Sequence, residues 1–360
     1  MKVLIVKTSA LGDVVHALPV LAWIKSADPD AQIDWLVEQS FANLLAGHPL
    51  IRRVHQVDTK HWRKEGVTAI LRGLTTLAGD LRDEAYDVAL DLQGNSKSGL
   101  LTLLSGARKR YGFARDGVRE WPALLATHVK VTLSHNEHHV SERSLAVARA
   151  AFTSGNNAPL AGPLVVGATE RQHLEKSLQQ RGIGTRPLVV CHYGTTWETK
   201  LWALENWCSL MQQLASGNDI DMLLTWGNEE ERSSAETIAS FGAGQAIVWP
   251  RGTLKDLVAL LERADLVIGC DTGPIHIAAA VGTPTVSMYR VTDAYRNGPR
   301  GDDHRLLQVP MECAVCMRKQ CPMDAECAAA ITPDQVVEAV KELLNKEGQP
   351  AGTAQTDNTQ

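Results

Sequence analysis

Short apolar runs alternate with segments of helical periodicity along most of the 360-residue chain. In the first part, apolar runs lie at 2–8, 32–37, 53–57 and 86–92, with helical segments at 13–26 and 69–82. In the second part, apolar runs lie at 187–192, 221–225, 245–248, 266–270 and 285–288, with helical segments at 169–180, 204–214, 229–239, 254–263, 275–281 and 333–344. Such alternation is typical of parallel sheets covered by helices. The pattern predicts an α/β protein with two consecutive doubly wound units.

A small, polar, turn-rich segment at 153–163 separates the two patterns and is the predicted linker. We expect an N-terminal domain over 1–160, a C-terminal domain over 161–346 and a disordered polar tail over 347–360. Ligands of doubly wound sheets bind outside the carboxyl ends of the strands. Two such units predict a site in the cleft between them.

Composition and charge narrow the functional classes. Hydrophobic residues make up 44% of the chain, which excludes a mostly disordered protein. The net charge of −5 argues against a globally basic nucleic-acid binder. However, residues 1–165 carry 19 Lys and Arg against 16 Asp and Glu, so the N-terminal part is +3 and the remainder −8. Lys7 interrupts the first apolar run before it reaches signal-peptide length, so we expect a cytoplasmic protein.

Asp13 follows the first strand in the segment KTSALGD. This segment is neither a dinucleotide fingerprint nor a P-loop. An aspartate at a helix start is either an N-cap or, at the carboxyl end of a strand, a candidate general base. The spacing leaves both interpretations open.

Two later segments offer groups that can bind phosphate. In the segment 192–200, HYGTTWETK, the hydroxyls of Thr195 and Thr196 and the charge of Lys200 follow a predicted strand. In the segment 269–276, GCDTGPIH, a predicted helix begins after a strand, and its N-terminal amides favour an anion. An ordinary loop and a well-capped helix are the alternatives.

Two charged runs have both a structural and a functional interpretation. The acidic run from Glu229 opens a helix, where it complements the helix dipole or accepts hydrogen bonds from sugar hydroxyls. The basic stretch 52–64 is either a solvated face or a site for a phosphorylated substrate.

Four cysteines are bunched near the C-terminus, at Cys313, Cys316, Cys321 and Cys327. Four thiolates at this density can hold zinc or an iron–sulfur cluster. Two local disulfides or reduced thiols fit as well, because the spacing is not that of a standard zinc ribbon.

Together these segments resemble glycosyltransferase family 9, the bacterial ADP-heptose:lipopolysaccharide heptosyltransferases. The similar segments are the start VLIVKTSALGDVVHALPVL, DLQGNSKS at 91–98, TTWETKLW at 195–202, EEER at 229–232 and DTGPIH at 271–276. The resemblance covers most of residues 1–345. The start looks most like the heptosyltransferase I branch, which adds the first heptose to Kdo of the inner core.

The resemblance implies a GT-B fold, in which two Rossmann-like domains face each other across a cleft, and an inverting, metal-independent transfer. It implies that Asp13 is the general base and that ADP-heptose is the donor. The implied donor contacts are Thr195, Thr196, Lys200, Glu229, Asp271, Thr272, Gly273 and His276. The implied acceptor contacts are Lys60, Arg63, Lys64, Gln93 and Lys97. The acidic segment is shorter than in that branch, which leaves Glu230 as the alternative to Glu229.

The implied partners are a Kdo-lipid A acceptor and, through it, the inner face of the inner membrane, with no nucleic acid and the chain as a monomer. No cofactor is required, and zinc or iron–sulfur at the cysteines stays open. Two other functions remain as alternatives: a family 9 transferase of type II or III with a different core acceptor, and a metal or redox module built on the four cysteines. An NAD-dependent dehydrogenase is disfavoured because the glycine fingerprint is absent.

Overall fold

Two six-stranded parallel sheets form the framework of the molecule in a computed structural model that describes residues 1–154, 162–217 and 219–346. The first sheet contains β1 (Lys2–Val6), β2 (Gln32–Glu38), β3 (Arg53–Val57), β4 (Val88–Asp91), β5 (Lys109–Phe113) and β6 (Val129–Val131). The second contains β7 (Leu188–His192), β8 (Asp221–Thr225), β9 (Ala246–Val248), β10 (Leu266–Cys270), β11 (Thr285–Tyr289) and β12 (His304–Gln308). The two sheets confirm the predicted pair of doubly wound α/β units.

Both sheets have the same topology. Their strand orders are β3-β2-β1-β4-β5-β6 and β12-β11-β10-β7-β8-β9, so each order reverses once, between β1 and β4 and between β10 and β7. Val6 pairs with Asp91 at the first reversal, and Gly269 pairs with His192 at the second. The segments that leave each pair of strands therefore emerge side by side. Ligands of doubly wound folds bind at such reversals.

Helices cover both faces of each sheet. Those of the first domain are α1 (Leu11–Val15), α2 (Pro19–Ala27), α3 (Gln39–Leu45), α4 (Thr59–Glu65), α5 (Val67–Asp83), α6 (Ser96–Leu104) and α7 (Val140–Ala151), with a 3₁₀ turn at Trp121–Leu125. Those of the second are α8 (Ala168–Gln179), α9 (Leu204–Gly217), α10 (Glu229–Ala239), α11 (Leu254–Arg263), α12 (Gly273–Val281), α13 (Ala294–Asn297), α14 (Asp324–Ala329) and α15 (Pro333–Lys346), with a 3₁₀ turn at Glu198–Lys200.

The sequence of β1 shows why both faces are covered. Its residues are all apolar after Lys2, and successive side chains of a strand point to opposite faces. Val3 and Ile5 are fully buried in one core cluster, and Leu4 and Val6 in another. An uninterrupted apolar strand of this kind requires helices on both sides of the sheet.

The predicted helix at 13–26 is wrong in one respect, because the structure divides it into α1 and α2. Pro19 is the first residue of α2 and has no N–H to donate, so a continuous helix would lose a hydrogen bond and place its ring against the preceding turn. The break leaves α1 as a short helix whose start faces the cleft.

Three strands were missing from the prediction. β5 (KRYGF) and β12 (HRLLQ) begin with charged or polar residues, β6 (VKV) has a lysine at its centre, and β6 and β12 contain no fully buried residue. A half-exposed edge strand does not show the continuous apolar run by which the buried strands were recognised. Most of the predicted linker and the whole tail over 347–360 lie outside the described residues. Within the described ranges, no helix is long and apolar enough to cross a membrane.

Candidate active site

A cleft of about 1120 Å³ lies between the two sheets, at the points where their strand orders reverse. The segments after β1 and β4 line it from the first domain, and those after β7, β8 and β10 line it from the second. This is the location that the sequence predicted. It is larger than the pockets that usually hold a drug-sized ligand.

Asp13 lines this cleft as the third residue of α1, with a side chain that is 19% exposed. Arg119 Nη2 lies 3.2 Å from Asp13 Oδ1 and 3.1 Å from Oδ2, and the buried Lys7 Nζ lies 3.8 Å from Oδ1. The Ala10 N–H donates to Asp13 Oδ2 at 3.4 Å, and Ala10 is itself the N-cap residue. The carboxylate therefore supports the first turn of α1 and faces the cleft at the same time.

The charges around Asp13 keep it ionised. Burial opposes its ionisation, but Lys7 and Arg119 outweigh that effect and lower its pKa from 3.8 to about 2. Burial also lowers the pKa of Lys7 to about 8, although the charge of Asp13 opposes this change. Asp13 is consequently a proton acceptor that is free of its own proton at neutral pH.

Glycines allow α1 and α12 to approach each other across the cleft floor. A Cβ atom on Gly12 would lie 2.6 Å from His276 Cδ2, and one on Gly273 would lie 2.5 Å from Leu11 Cδ2. The His16 ring lies 4.3 Å from the His276 ring, and burial lowers the pKa of His16 well below its usual value. This close-packed interface holds the segment of Asp13 against the segment of Asp271.

Lys200, Asp271 and His276 form one cluster on the second domain. Lys200 Nζ lies 2.7 Å from Asp271 Oδ2, and His276 Nε2 lies 3.2 Å from Asp271 Oδ1. Burial disfavours ionisation of Asp271, but the His276 hydrogen bond and the charge of Lys200 outweigh it and hold the pKa well below its ordinary value. Asp271 therefore orients both partners as a carboxylate.

The phosphate-binding candidates lie around this cluster. Thr195 Oγ1 is 3.5 Å from the Asp271 carbonyl oxygen, and Thr196 is an exposed residue of the same turn. Thr272 is the N-cap residue of α12, and Gly273 is its first residue. The candidates from these two segments all line the cleft: Thr195, Thr196, Lys200, Asp271, Thr272, Gly273 and His276. The structure thus brings together every donor-side residue named from the sequence except Glu229.

The structure places Glu231, and not Glu229, among the residues that line the cleft. Glu229 is 77% exposed, pairs with Arg232 at 3.4 Å and does not line the cleft. Glu231 lines it instead, because its carboxylate folds back and accepts the N–H of Gly227 at 2.7 Å. A Cβ atom on Gly194 would lie 2.2 Å from a Glu231 carboxylate oxygen, so this carboxylate lies directly against the turn before Thr195.

The acceptor-side candidates divide into two groups. Gln93 lines the cleft, and its Oε1 accepts the N–H groups of Thr8 at 3.2 Å and Ser9 at 3.3 Å. Lys97 does not line the cleft and is paired with Glu38 at 2.8 Å. The exposed cations of α4, namely Lys60, Arg63 and Lys64, also lie outside the residues that line the cleft. Of this set, the structure places only Gln93 among the residues that line the cleft with Asp13.

Sequence reasoning missed Arg119, the residue nearest to Asp13 among the cations of the cleft. It follows β5, one of the strands missing from the prediction, so nothing marked its segment as the carboxyl end of a strand. With β5 recognised, the rule that ligands bind at carboxyl ends would have indicated it. Arg251 and Arg296 line the cleft on the second domain and were missed as well.

The cysteines do not form a metal centre in the structure. Cys313 is exposed, Cys316 and Cys321 are partly exposed, and Cys327 is a buried residue of α14. Among the described residues, no group of three or more His, Cys, Asp or Glu side chains could hold a metal ion. In this arrangement, no three of the four thiols are gathered into one ligand set.

The chain is similar to known proteins over nearly its whole length. Residues 74–326 match the sequence profile of glycosyltransferase family 9 (heptosyltransferase). The lipopolysaccharide heptosyltransferase 1 of Pseudomonas aeruginosa is 34% identical over 322 residues, which are 89% of this chain and 87% of that protein.

Solved structures agree with this result. The structure of the E. coli heptosyltransferase WaaC with ADP-2-deoxy-2-fluoro heptose superimposes with a TM-score of 0.73 at 28% identity. The match covers 95% of this chain and 99% of the WaaC chain. The E. coli ADP-heptose lps heptosyltransferase II shares the fold, with a TM-score of 0.74 at 20% identity over 97% of this chain and 100% of its own. With its GT-B arrangement of two parallel sheets, the chain belongs to glycosyltransferase family 9, the heptosyltransferases, and is a glycosyltransferase.

Proposed function

We propose that the protein is a heptosyltransferase I, which transfers heptose from ADP-L-glycero-D-manno-heptose to the Kdo of a lipopolysaccharide inner core with inversion. The observation that carries the proposal is the position of Asp13. It is an ionised carboxylate on the first domain, and its helix packs directly against α12, which begins next to the Lys200–Asp271–His276 cluster. The 34% identity to a lipopolysaccharide heptosyltransferase 1 and the likeness to WaaC support the choice of donor and branch.

The donor is proposed to bind to the second domain, over 161–346. Thr195, Thr196 and Lys200 would contact its pyrophosphate, and the free amides at the start of α12 would contact the same anion. As the glycosidic bond breaks, the leaving ADP gains negative charge, which Lys200 and the helix N-terminus stabilise. Glu231, rather than Glu229, is the carboxylate proposed to accept hydrogen bonds from donor hydroxyls.

The acceptor is proposed to bind to the first domain, over 1–160, so that Asp13 reaches its hydroxyl. Inverting transfer needs one base on the face opposite the leaving group. Arg119 and Lys7 hold the Asp13 carboxylate in place but also weaken it as a base. An anionic group of the acceptor that draws Arg119 away would raise the pKa of Asp13 as the proton is transferred.

The cations of α4 are proposed to contact anionic groups of the acceptor outside the cleft. Lys60, Arg63 and Lys64 are exposed on this helix and make no ion pair with a described residue. An acceptor on a lipid implies that the protein works at the inner face of the inner membrane.

A turnover assay tests the proposal. Purified protein is incubated with ADP-heptose and Kdo₂-lipid A, and both ADP release and the mass of the acceptor are measured. We expect one heptose to be added per acceptor. A parallel reaction with an acceptor that already carries this heptose separates the branches: transfer to that acceptor alone would assign the chain to type II or III.

A further inference from the structure

We propose that the outer face of α5, α6 and the 3₁₀ turn at Trp121–Leu125 docks on the surface of an anionic lipid bilayer. The identity of the acceptor rests on the proposed function, whereas the docking surface stands on its own observations. We call this face the docking surface. It consists of Val67, Leu71, Leu100, Leu103, Trp121 and Leu125.

The first observation is the unusual exposure of these apolar side chains. Trp121 is 69% exposed, Leu125 77% and Val67 71%. Six of the fourteen exposed large apolar side chains in the described ranges lie on these three elements. Single exposed apolar residues are common, but a contiguous group indicates a binding surface.

The three elements are in contact, so the six side chains form one surface. A Cβ atom on Gly99 of α6 would lie 2.9 Å from Ala123 Cα at the centre of the 3₁₀ turn. Leu103 lies one helical turn from both Gly99 and Leu100, so it joins the exposed residues of α6 to the 3₁₀ turn, where Trp121 and Leu125 flank Ala123. α5 is in contact with α6.

α5 contributes its first turns to the same surface. Val67 and Leu71 are one helical turn apart and both exposed, whereas Leu77 and Leu81 further along the helix are buried against the sheet. The exposed pair therefore lies where α5 extends beyond the core. It is not required for packing inside the domain.

Charge identifies the occupant of this surface. Residues 60–72, which include the start of α5, contain four Lys or Arg and one Glu. A surface of Trp and Leu with a basic border matches an anionic bilayer, in which aromatic rings occupy the headgroup region and cations attract acidic lipids.

The position of the docking surface agrees with a substrate that is held in the membrane. Trp121 is two residues from Arg119, whose guanidinium lies 3.1 Å from Asp13 Oδ2. The 3₁₀ turn of the docking surface therefore begins two residues after the arginine that pairs with Asp13. A headgroup that rises from the bilayer at this edge enters the cleft without leaving its acyl chains exposed to water.

The test measures how the protein partitions onto vesicles. Wild type should co-sediment with vesicles of phosphatidylglycerol and phosphatidylethanolamine, and much less with vesicles of phosphatidylcholine. The double variant Trp121→Ala/Leu125→Ala should bind the anionic vesicles about tenfold or more weakly, since two side chains no longer bury apolar area. Phe241→Ala is the matched control, because Phe241 is an exposed apolar residue on the second domain and its loss should leave partitioning unchanged.

Two further measurements separate the possible outcomes. On an acceptor without acyl chains the double variant should keep the wild-type rate, whereas on an acceptor embedded in vesicles it should lose rate in parallel with binding. Failure of heptose transfer with intact vesicle binding would overturn the proposed function and leave the docking surface in place. The docking proposal would be overturned if the wild type does not bind anionic vesicles. It would also be overturned if the wild type forms a dimer that Trp121→Ala/Leu125→Ala converts to a monomer.

Discussion

Replacement of Gly273 by alanine should slow the reaction by preventing α1 from reaching α12. The added Cβ atom would lie 2.5 Å from Leu11 Cδ2 and 2.9 Å from Leu11 Cγ, which is closer than real Cβ atoms approach. Overpacking of this kind costs about 1–3 kcal/mol. Leu11 and Gly273 belong to different domains, so this steric clash destabilises the arrangement in which the two domains are in contact. The population of that arrangement should drop about 5- to 150-fold.

The measurement is kcat/KM for heptose transfer, with the dissociation constant of ADP measured alongside. We expect kcat/KM to fall by this factor, while ADP, which we propose binds mainly to the second domain, keeps most of its affinity. Gly79→Ala is the matched control, because a Cβ atom at Gly79 in α5 meets nothing within 4 Å. This control should retain full activity and gain up to about 1 kcal/mol in helix stability.

A compensating substitution makes the test specific. Leu11→Ala removes the Cγ and Cδ atoms and leaves only its Cβ atom, 3.2 Å from the new methyl group. Leu11→Ala/Gly273→Ala should therefore recover much of the rate lost in Gly273→Ala. If the double variant is no faster than the single variant, the loss arises at the phosphate site, and the steric explanation is wrong.

Three further predictions concern the charged groups of the cleft. Arg119→Ala should raise the pKa of Asp13 from about 2, so that the carboxylate becomes protonated at a higher pH. The ratio of variant to wild-type kcat/KM should therefore fall as the pH is lowered from about 6 to about 4. A ratio that does not change with pH would contradict the pairing of Arg119 with Asp13. Lys200→Ala should weaken ADP-heptose binding by at least about tenfold in isothermal titration, because a charged contact to the pyrophosphate is lost, and unchanged affinity would remove its phosphate role. Glu231→Gln should raise KM for the donor while Glu229→Gln has no effect, and the reverse result would restore the original assignment from the sequence.

The buried elements of the fold could be predicted because their sequences carry unambiguous patterns. β1, β7 and β10 are almost entirely apolar, and their boundaries differ from the prediction by no more than two residues. β5 and β12 were not recognised because charged or polar residues occupy exposed or partly exposed positions at their starts. The periodicity of the chain therefore indicates how a strand is buried, and edge strands give a weak signal.

Residues of the candidate site could be predicted where a sequence motif places them just after the end of a strand. Asp13, Lys200 and Asp271 each follow a buried strand within ten residues, so the topology brings them to the cleft. The choice among three consecutive glutamates depends instead on where α10 begins. Asn228 caps this helix by accepting the N–H of Glu231, and the Glu231 carboxylate folds back to accept the N–H of Gly227, the residue before the cap. The three-residue spacing between Asn228 and Glu231 is visible in the sequence.

Partners that are distant in the chain gave no sequence signal. Arg119 lies 106 residues from Asp13 and reaches it only because β5 belongs to the same sheet as β1. The contacts of Gly12 with His276 and of Gly273 with Leu11 join different domains. Such contacts follow from the packing of the two domains, which no local pattern encodes.

The variant Asp13→Asn tests most directly whether Asp13 is the general base. The amide is nearly the same size as the carboxylate but cannot accept the acceptor's proton. We expect the variant to bind ADP like wild type and to transfer heptose roughly a hundred- to ten-thousandfold more slowly, because a positioned general base contributes roughly 10²–10⁴-fold. Turnover close to that of wild type, with ADP binding intact, would contradict the assignment of Asp13 as the base.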